Sequence, residues 1–171
     1  MVRMKMPIQD LIVRPFHLWA ERWFLLAAGD FAAGDYNAMT VSWGSLGTMW
    51  GRPFVQIVVR PTRHTFGFLE RHDTFTLSAF DERYRDALNL LGSRSGREGD
   101  KIAAAGLTPA ASAHVAAPSF AEADLVLECR KIYWQDFEPR RFLDPSIARL
   151  YEAQDYHRAW FGEILAVFAA P

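Results

Sequence analysis

The sequence predicts a mainly β fold, a mostly antiparallel barrel with short helices packed outside it. Two observations carry this. Six apolar or alternating runs have strand length and are bounded by turn residues. The helical segments between them are few, short and irregularly spaced, which argues against a doubly wound parallel sheet. No internal repeat and no Ser/Gly linker occurs, so residues 1–171 read as a single domain with room for a real core.

The elements follow in order. Arg22 to Ala28 is apolar and is closed by Gly29-Asp30, as a buried strand would be. Asn37 to Trp43 is the second strand. Residues 44–53, with three glycines and a proline, read as a turn region. Phe54 to Val59 is a short β-rich run ended by Arg60-Pro61. Thr62 is placed to cap a helix over 63–71, which finishes with Arg71 and His72 at its negative end. Thr74 to Phe80 alternates like a strand. Tyr84, Ala87, Leu88 and Leu91 fall at i, i+3, i+4 and i+7, an amphipathic helix. A polar loop at 92–100 precedes a short helix over Lys101 to Ala105, and residues 107–120, with two prolines, read as extended loop. Leu125 to Trp134 and His157 to Phe168 are long strands, with one helix over Pro145 to Tyr151 between them.

Composition narrows the function. Half the residues are hydrophobic and 14% aromatic, which marks a globular chain. The formal net charge is −1 with no block of like charge, so neither nucleic acid nor an anionic membrane is expected as partner. No run approaches a membrane span and the N-terminus lacks a signal-peptide pattern. The single cysteine, Cys129, excludes an internal disulfide and fits a reducing cytoplasm. It sits mid-strand among apolar neighbours and reads as an inert buried thiol. The five histidines show no metal-ligand spacing, so no metal site is expected. GxxxxGK[ST], GxGxxG and GxSxG are all absent.

Four segments remain as candidates for chemistry. On a strand, Asn37, Met39, Val41 and Trp43 share one face, while Thr40 and Ser42 point together to the other. Two hydroxyls, free backbone groups at a strand end, and Trp43 and Trp50 around a glycine turn suit a flat heteroaromatic ligand. The same residues also suit an ordinary strand with core tryptophans. Arg60 to Thr65 (RPTRHT) brings Arg63 and the hydroxyls of Thr62 and Thr65 to a helix start, whose free N–H groups attract anions; a plain cap with a solvated arginine is the alternative. In SGREGDK (95–101), Ser95, Arg97 and Lys101 are placed to reach an anion, or form a solvated loop. His157 opens the late strand and titrates near neutrality, as a ligand neighbour or as a hydrogen-bonded structural residue.

Together, NAMTVSWG (37–44), RPTRHT (60–65), FTLSAF (75–80), SGREGDK (95–101) and HRAWFGE (157–163) resemble, in order, the flavin reductase-like FMN-binding split-barrel family. The resemblance spans most of the chain, with bulky Trp160 and Phe161 as departures. It implies a six-stranded antiparallel split barrel with peripheral helices, working as a homodimer. It implies non-covalent FMN, with NAD(P)H as hydride donor and free flavin or a monooxygenase as electron acceptor. A flavin-binding electron carrier without NAD(P)H activity is the other reading. Carried over onto this chain, Asn37, Thr40, Ser42 and Trp43 lie by the isoalloxazine and ribityl chain. Arg63 and Thr65, with Arg60 or Thr62, meet the phosphate, and Lys101 assists. His157 approaches the flavin or nicotinamide as the candidate catalytic residue.

Overall fold

A computed structural model describes residues 2–170. The strands are β1 (Met4–Met6), β2 (Phe24–Asp30), β3 (Asp35–Val41), β4 (Gly44–Met49), β5 (Arg52–Val59), β6 (Thr74–Ala79), β7 (Pro109–Ala110), β8 (Ser119–Phe120), β9 (Leu125–Asp136) and β10 (Arg158–Ala169). The helices are α1 (His64–Arg71), α2 (Arg85–Ser93) and α3 (Lys101–Ala104). A π-helical turn covers His17–Arg22 and a 3-10 segment covers Pro145–Tyr151.

The main sheet runs β3-β2-β6-β9-β10-β5-β4, with β1 added beside β10, and every pairing is antiparallel. The six strands expected from the sequence are all present as β2, β3, β5, β6, β9 and β10. Alternation explains how they pack. Phe24, Leu26 and Ala28 of β2 face an inner core, together with Met39 and Val41 of β3, Val55, Ile57 and Val59 of β5, Phe75 and Leu77 of β6, Leu127 and Cys129 of β9, and Trp160 and Ile164 of β10. Leu25 and Ala27 face the other way, into a second core roofed by Leu88 and Leu91 of α2 and Ile102 of α3. Burial raises the Cys129 thiol pKa well above its ordinary value, as expected of an inert thiol.

Two local expectations are corrected. Residues 44–53 are not one turn. β4 and β5 form a hairpin in register from Gly44↔Ile57 to Met49↔Arg52. Only Trp50 (φ 53°) and Gly51 (φ 69°) make the turn, with the positive φ pair of a type I′ connection. The glycines thus punctuate a strand rather than replace it. The second correction concerns α1: Arg63, not Thr62, occupies the cap position, and no side chain caps the helix. The Thr62 hydroxyl instead donates to Asp155 at 3.4 Å.

Candidate functional site

The ends of β3 and β5 open side by side onto one cavity of about 230 Å³. Met39 to Trp43, Val58 to Arg60, Arg63 and His157 line it. Six of the residues singled out in the sequence therefore meet there: Thr40, Ser42, Trp43, Arg60, Arg63 and His157. Neither Trp43, just before the hairpin, nor Trp50, in its turn, is core, since they are 47% and 60% exposed. The Trp43 ring lies 5.3 Å from the His157 ring, tilted by 46°.

Of the other four, Asn37, Thr65 and Lys101 are buried behind this wall and Thr62 is exposed. Asn37 Nδ2 donates to Thr65 Oγ1 at 2.7 Å, and both side chains are buried. Lys101 is also buried, and its Nζ donates to the carbonyls of Leu91 and Arg94 at 3.0 Å each. It thereby satisfies carbonyls that the end of α2 leaves without helical partners. Thr62 lies on the outer side against Asp155. Of the lining residues, Thr40 already spends its hydroxyl on the Leu88 carbonyl, at 2.5 Å.

Around the start of α1 the charges are one-sided. Arg63 Nη2 donates to the Gly92 carbonyl at 2.6 Å, and Arg97 Nη1 donates to the Thr62 carbonyl at 3.4 Å. Among the described residues, Arg63, His64, Arg97 and Lys101 form no ion pair. Burial, and then the nearby Arg60, lower the Arg63 pKa. Burial, with Arg97, Lys101 and Arg71 adding repulsion, lowers that of His64. Burial and the Arg63 charge bring Lys101 down to about 8. Mutually repelling cations beside an uncapped helix start fit a phosphate, which would relieve the repulsion and accept from the free N–H groups.

His157 occupies the opposite wall. Its Nδ1 lies 2.7 Å from Tyr151 Oη, and both side chains are buried. Burial lowers the imidazole pKa to about 4, with the Arg60 charge adding to this and Asp155 opposing it. The His157 ring is therefore neutral at neutral pH. Arg60 ties the segment before β10 down: Nη1 donates to Asp155 at 2.6 Å, Nη2 donates to the Leu150 carbonyl at 2.7 Å, and the guanidinium lies 4.9 Å over the Tyr151 ring. Tyr151 and Asp155 drew no notice in the sequence. The available signal was the pair of tyrosines, Tyr151 and Tyr156, shortly before His157. No group of His, Cys, Asp or Glu among the described residues is placed to hold a metal ion, and no described helix is long and apolar enough to cross a membrane.

Residues 20–170 match the family described as "Flavin reductase like domain". The chain belongs to that family. No curated protein matches its sequence. Among solved structures this flavin reductase-like chain is similar to flavoredoxin of Desulfovibrio vulgaris (Miyazaki F), with TM-score 0.68, 22% identity, and 98% of this chain and 77% of that one covered. An FMN-binding domain of a flavin reductases-like enzyme from Shewanella baltica gives TM-score 0.70 at 16% identity, covering 98% and 77%. A Streptomyces globisporus NADH:FAD oxidoreductase gives 0.65 at 17%, covering 87% and 75%. At such identities the likeness establishes the fold, the antiparallel split barrel expected from the sequence. Family membership supports flavin binding by the chain.

Proposed function

We propose that the chain binds FMN non-covalently and catalyses hydride transfer from NADH or NADPH to flavin. The observation that carries the reading is the cavity between Trp43 and Arg63, which joins an aromatic wall to the cluster of Arg63, Arg97 and Lys101, without a carboxylate partner among the described residues. Bound flavin supplies the two-electron acceptor for the hydride; the protein binds and orients it. In this reading Ser42 and Trp43 hold the ring and its chain. Arg63 and the N–H groups at the start of α1 hold the phosphate, with Arg97 close by. His157 faces the ring edge. Thr40, Asn37, Thr65 and Lys101 support those residues from behind, and Arg60 and Thr62 fix the segment that carries Tyr151 and Asp155. Positioning suffices for hydride transfer, which needs no acid/base pair.

The cavity is smaller than a usual cofactor pocket, which runs from about 300 Å³. A second copy of the chain would complete it. The aromatic face of Trp50, Tyr133 and Phe161, with ring centroids 5.4–6.3 Å apart, supports a homodimer. Free flavin or a monooxygenase would accept the electrons. The likeness to a flavoredoxin favours one other reading, an electron carrier without its own nicotinamide activity.

Three measurements test this. The visible spectrum of purified or FMN-loaded protein should show flavin bands that heat releases; protein that stays colourless after FMN addition rejects the cofactor. Anaerobic stopped-flow mixing with NADH and with NADPH should bleach the bound flavin, and an unbleached flavin leaves the carrier reading. Sedimentation velocity should give a dimer.

A further inference from the structure

We propose that Tyr151 is a positioning residue: it donates to His157 Nδ1, fixes the imidazole as its Nε2–H tautomer, and so presents an N–H donor to the cavity beside Trp43. The inference rests on the site reading above only for what the donor meets, not for the tautomer itself.

The geometry sets the direction of the bond. Tyr151 Oη lies 2.7 Å from His157 Nδ1, in the range of a hydroxyl donating and at the short limit for a ring N–H donating to oxygen. A phenol is the better donor of the two groups, and the imidazole lone pair the better acceptor. With Nδ1 engaged as acceptor, a neutral ring must carry its proton on Nε2. Nε2 has no hydrogen-bond partner among the described residues, and His157 lines the cavity.

The phenol is held from several sides. Phe142 stacks on the Tyr151 ring at 5.8 Å and 9°, Tyr156 packs at 4.9 Å, and Arg60 covers it at 4.9 Å. The two rings of the pair meet edge to face, 5.5 Å apart at 82°. Arg60 also grips the Leu150 carbonyl, so the backbone beside Tyr151 is fixed too. The charged groups near the pair are Arg60 and its partner Asp155, with Arg63 lining the same cavity from the start of α1. Burial and then the Arg60 charge disfavour a second ring proton, against the opposing Asp155 carboxylate, which keeps His157 a single-donor group. Such a donor recognises a carbonyl or anionic oxygen at the edge of a flat ligand, rather than a phosphate, which the Arg63 end already suits.

The test uses full-length protein with ¹⁵N-labelled histidine. Two-bond ¹H–¹⁵N correlations near pH 7, assigned by loss of the His157 signals in His157→Gln, should show essentially pure Nε2–H in ligand-free wild-type protein. Tyr151→Phe should lose that purity and populate the Nδ1–H form. A wild-type Nδ1–H ring overturns the proposal without any variant, as does a tautomer unchanged in a folded Tyr151→Phe protein. FMN titration of Tyr151→Phe should then show a loss of about five-fold, the scale of one neutral hydrogen bond. If wild-type protein has the expected tautomer but binds no FMN, the positioning pair stands and the flavin reading falls.

Discussion

Asn37 and Thr65, 28 positions apart in the chain, are joined by a buried hydrogen bond of 2.7 Å that ties β3 to the first turn of α1. The two halves of the site, strand end and helix start, are thereby set against each other. Thr65→Val keeps the shape and removes the acceptor, leaving Asn37 Nδ2 unsatisfied where only 6% of the residue is exposed. The expected cost is about 1–3 kcal/mol. Urea unfolding should show a lower midpoint with an unchanged slope, and an unmoved midpoint would disprove the role given to this bond.

Arg63 has no carboxylate partner among the described residues and meets only the Gly92 carbonyl. Arg63→Ala should therefore weaken FMN by about 1.5–3 kcal/mol, the worth of a charged hydrogen bond. Riboflavin, which lacks the phosphate, serves as control: fluorescence titration should find its affinity unchanged. Equal losses for both ligands would place Arg63 against the ring instead.

Acid should loosen the fold through His157. Its folded pKa, about 4, lies below the ordinary 6.5 of an unfolded histidine, so between these values the unfolded chain binds more protons. Stability then rises with pH across that window and is lost as pH falls from 6.5 toward 4. In His157→Gln this contribution disappears. The stability difference between wild type and variant, followed by urea unfolding at several pH values, should shrink on acidification; a constant difference counts against a buried neutral imidazole.

Gly96 lets the loop before α3 lie close on the site. A Cβ there would fall 2.3 Å from Asn37 Oδ1 and 3.0 Å from His64 Cδ2. Asn37 is pinned by Thr65 and has little room to yield. Gly96→Ala should cost about 1–3 kcal/mol of stability by overpacking and push Arg97 off the start of α1. Thermal melting and FMN titration should both register the change; wild-type values in both would show that the loop packs elsewhere.

Strand alternation is a local property, and it was readable: the apolar period of Arg22 to Ala28 and the long run of His157 to Phe168 mark β2 and β10 within a few residues. The β4–β5 hairpin was hidden because glycine weakens a strand signal without abolishing the strand, and a two-residue turn needs only Trp50 and Gly51. The site was legible as a location, since Ser42, Trp43, Arg63 and His157 do meet. The partner of each polar group was not. Thr40 and Lys101 look alike as ligand donors in sequence, yet both bond carbonyls of the α2 region. Hydrogen bonds across tens of residues leave no trace in local spacing, and for that reason Tyr151 and Asp155 went unseen.

β10 lies between β5 and β9 in the sheet, although nearly a hundred residues separate Val59 from its partner Arg158. A chain leaving the ribosome therefore exposes β5 along one edge, with Phe54, Val55, Ile57 and Val59 unmatched, until β10 has been made. During that interval the nascent protein is most open to pairing with a neighbour's strand, and chaperone dependence during synthesis should track it. His157 directly precedes the same strand, so joining the β4–β5 hairpin to the rest of the sheet and assembling the site are one event.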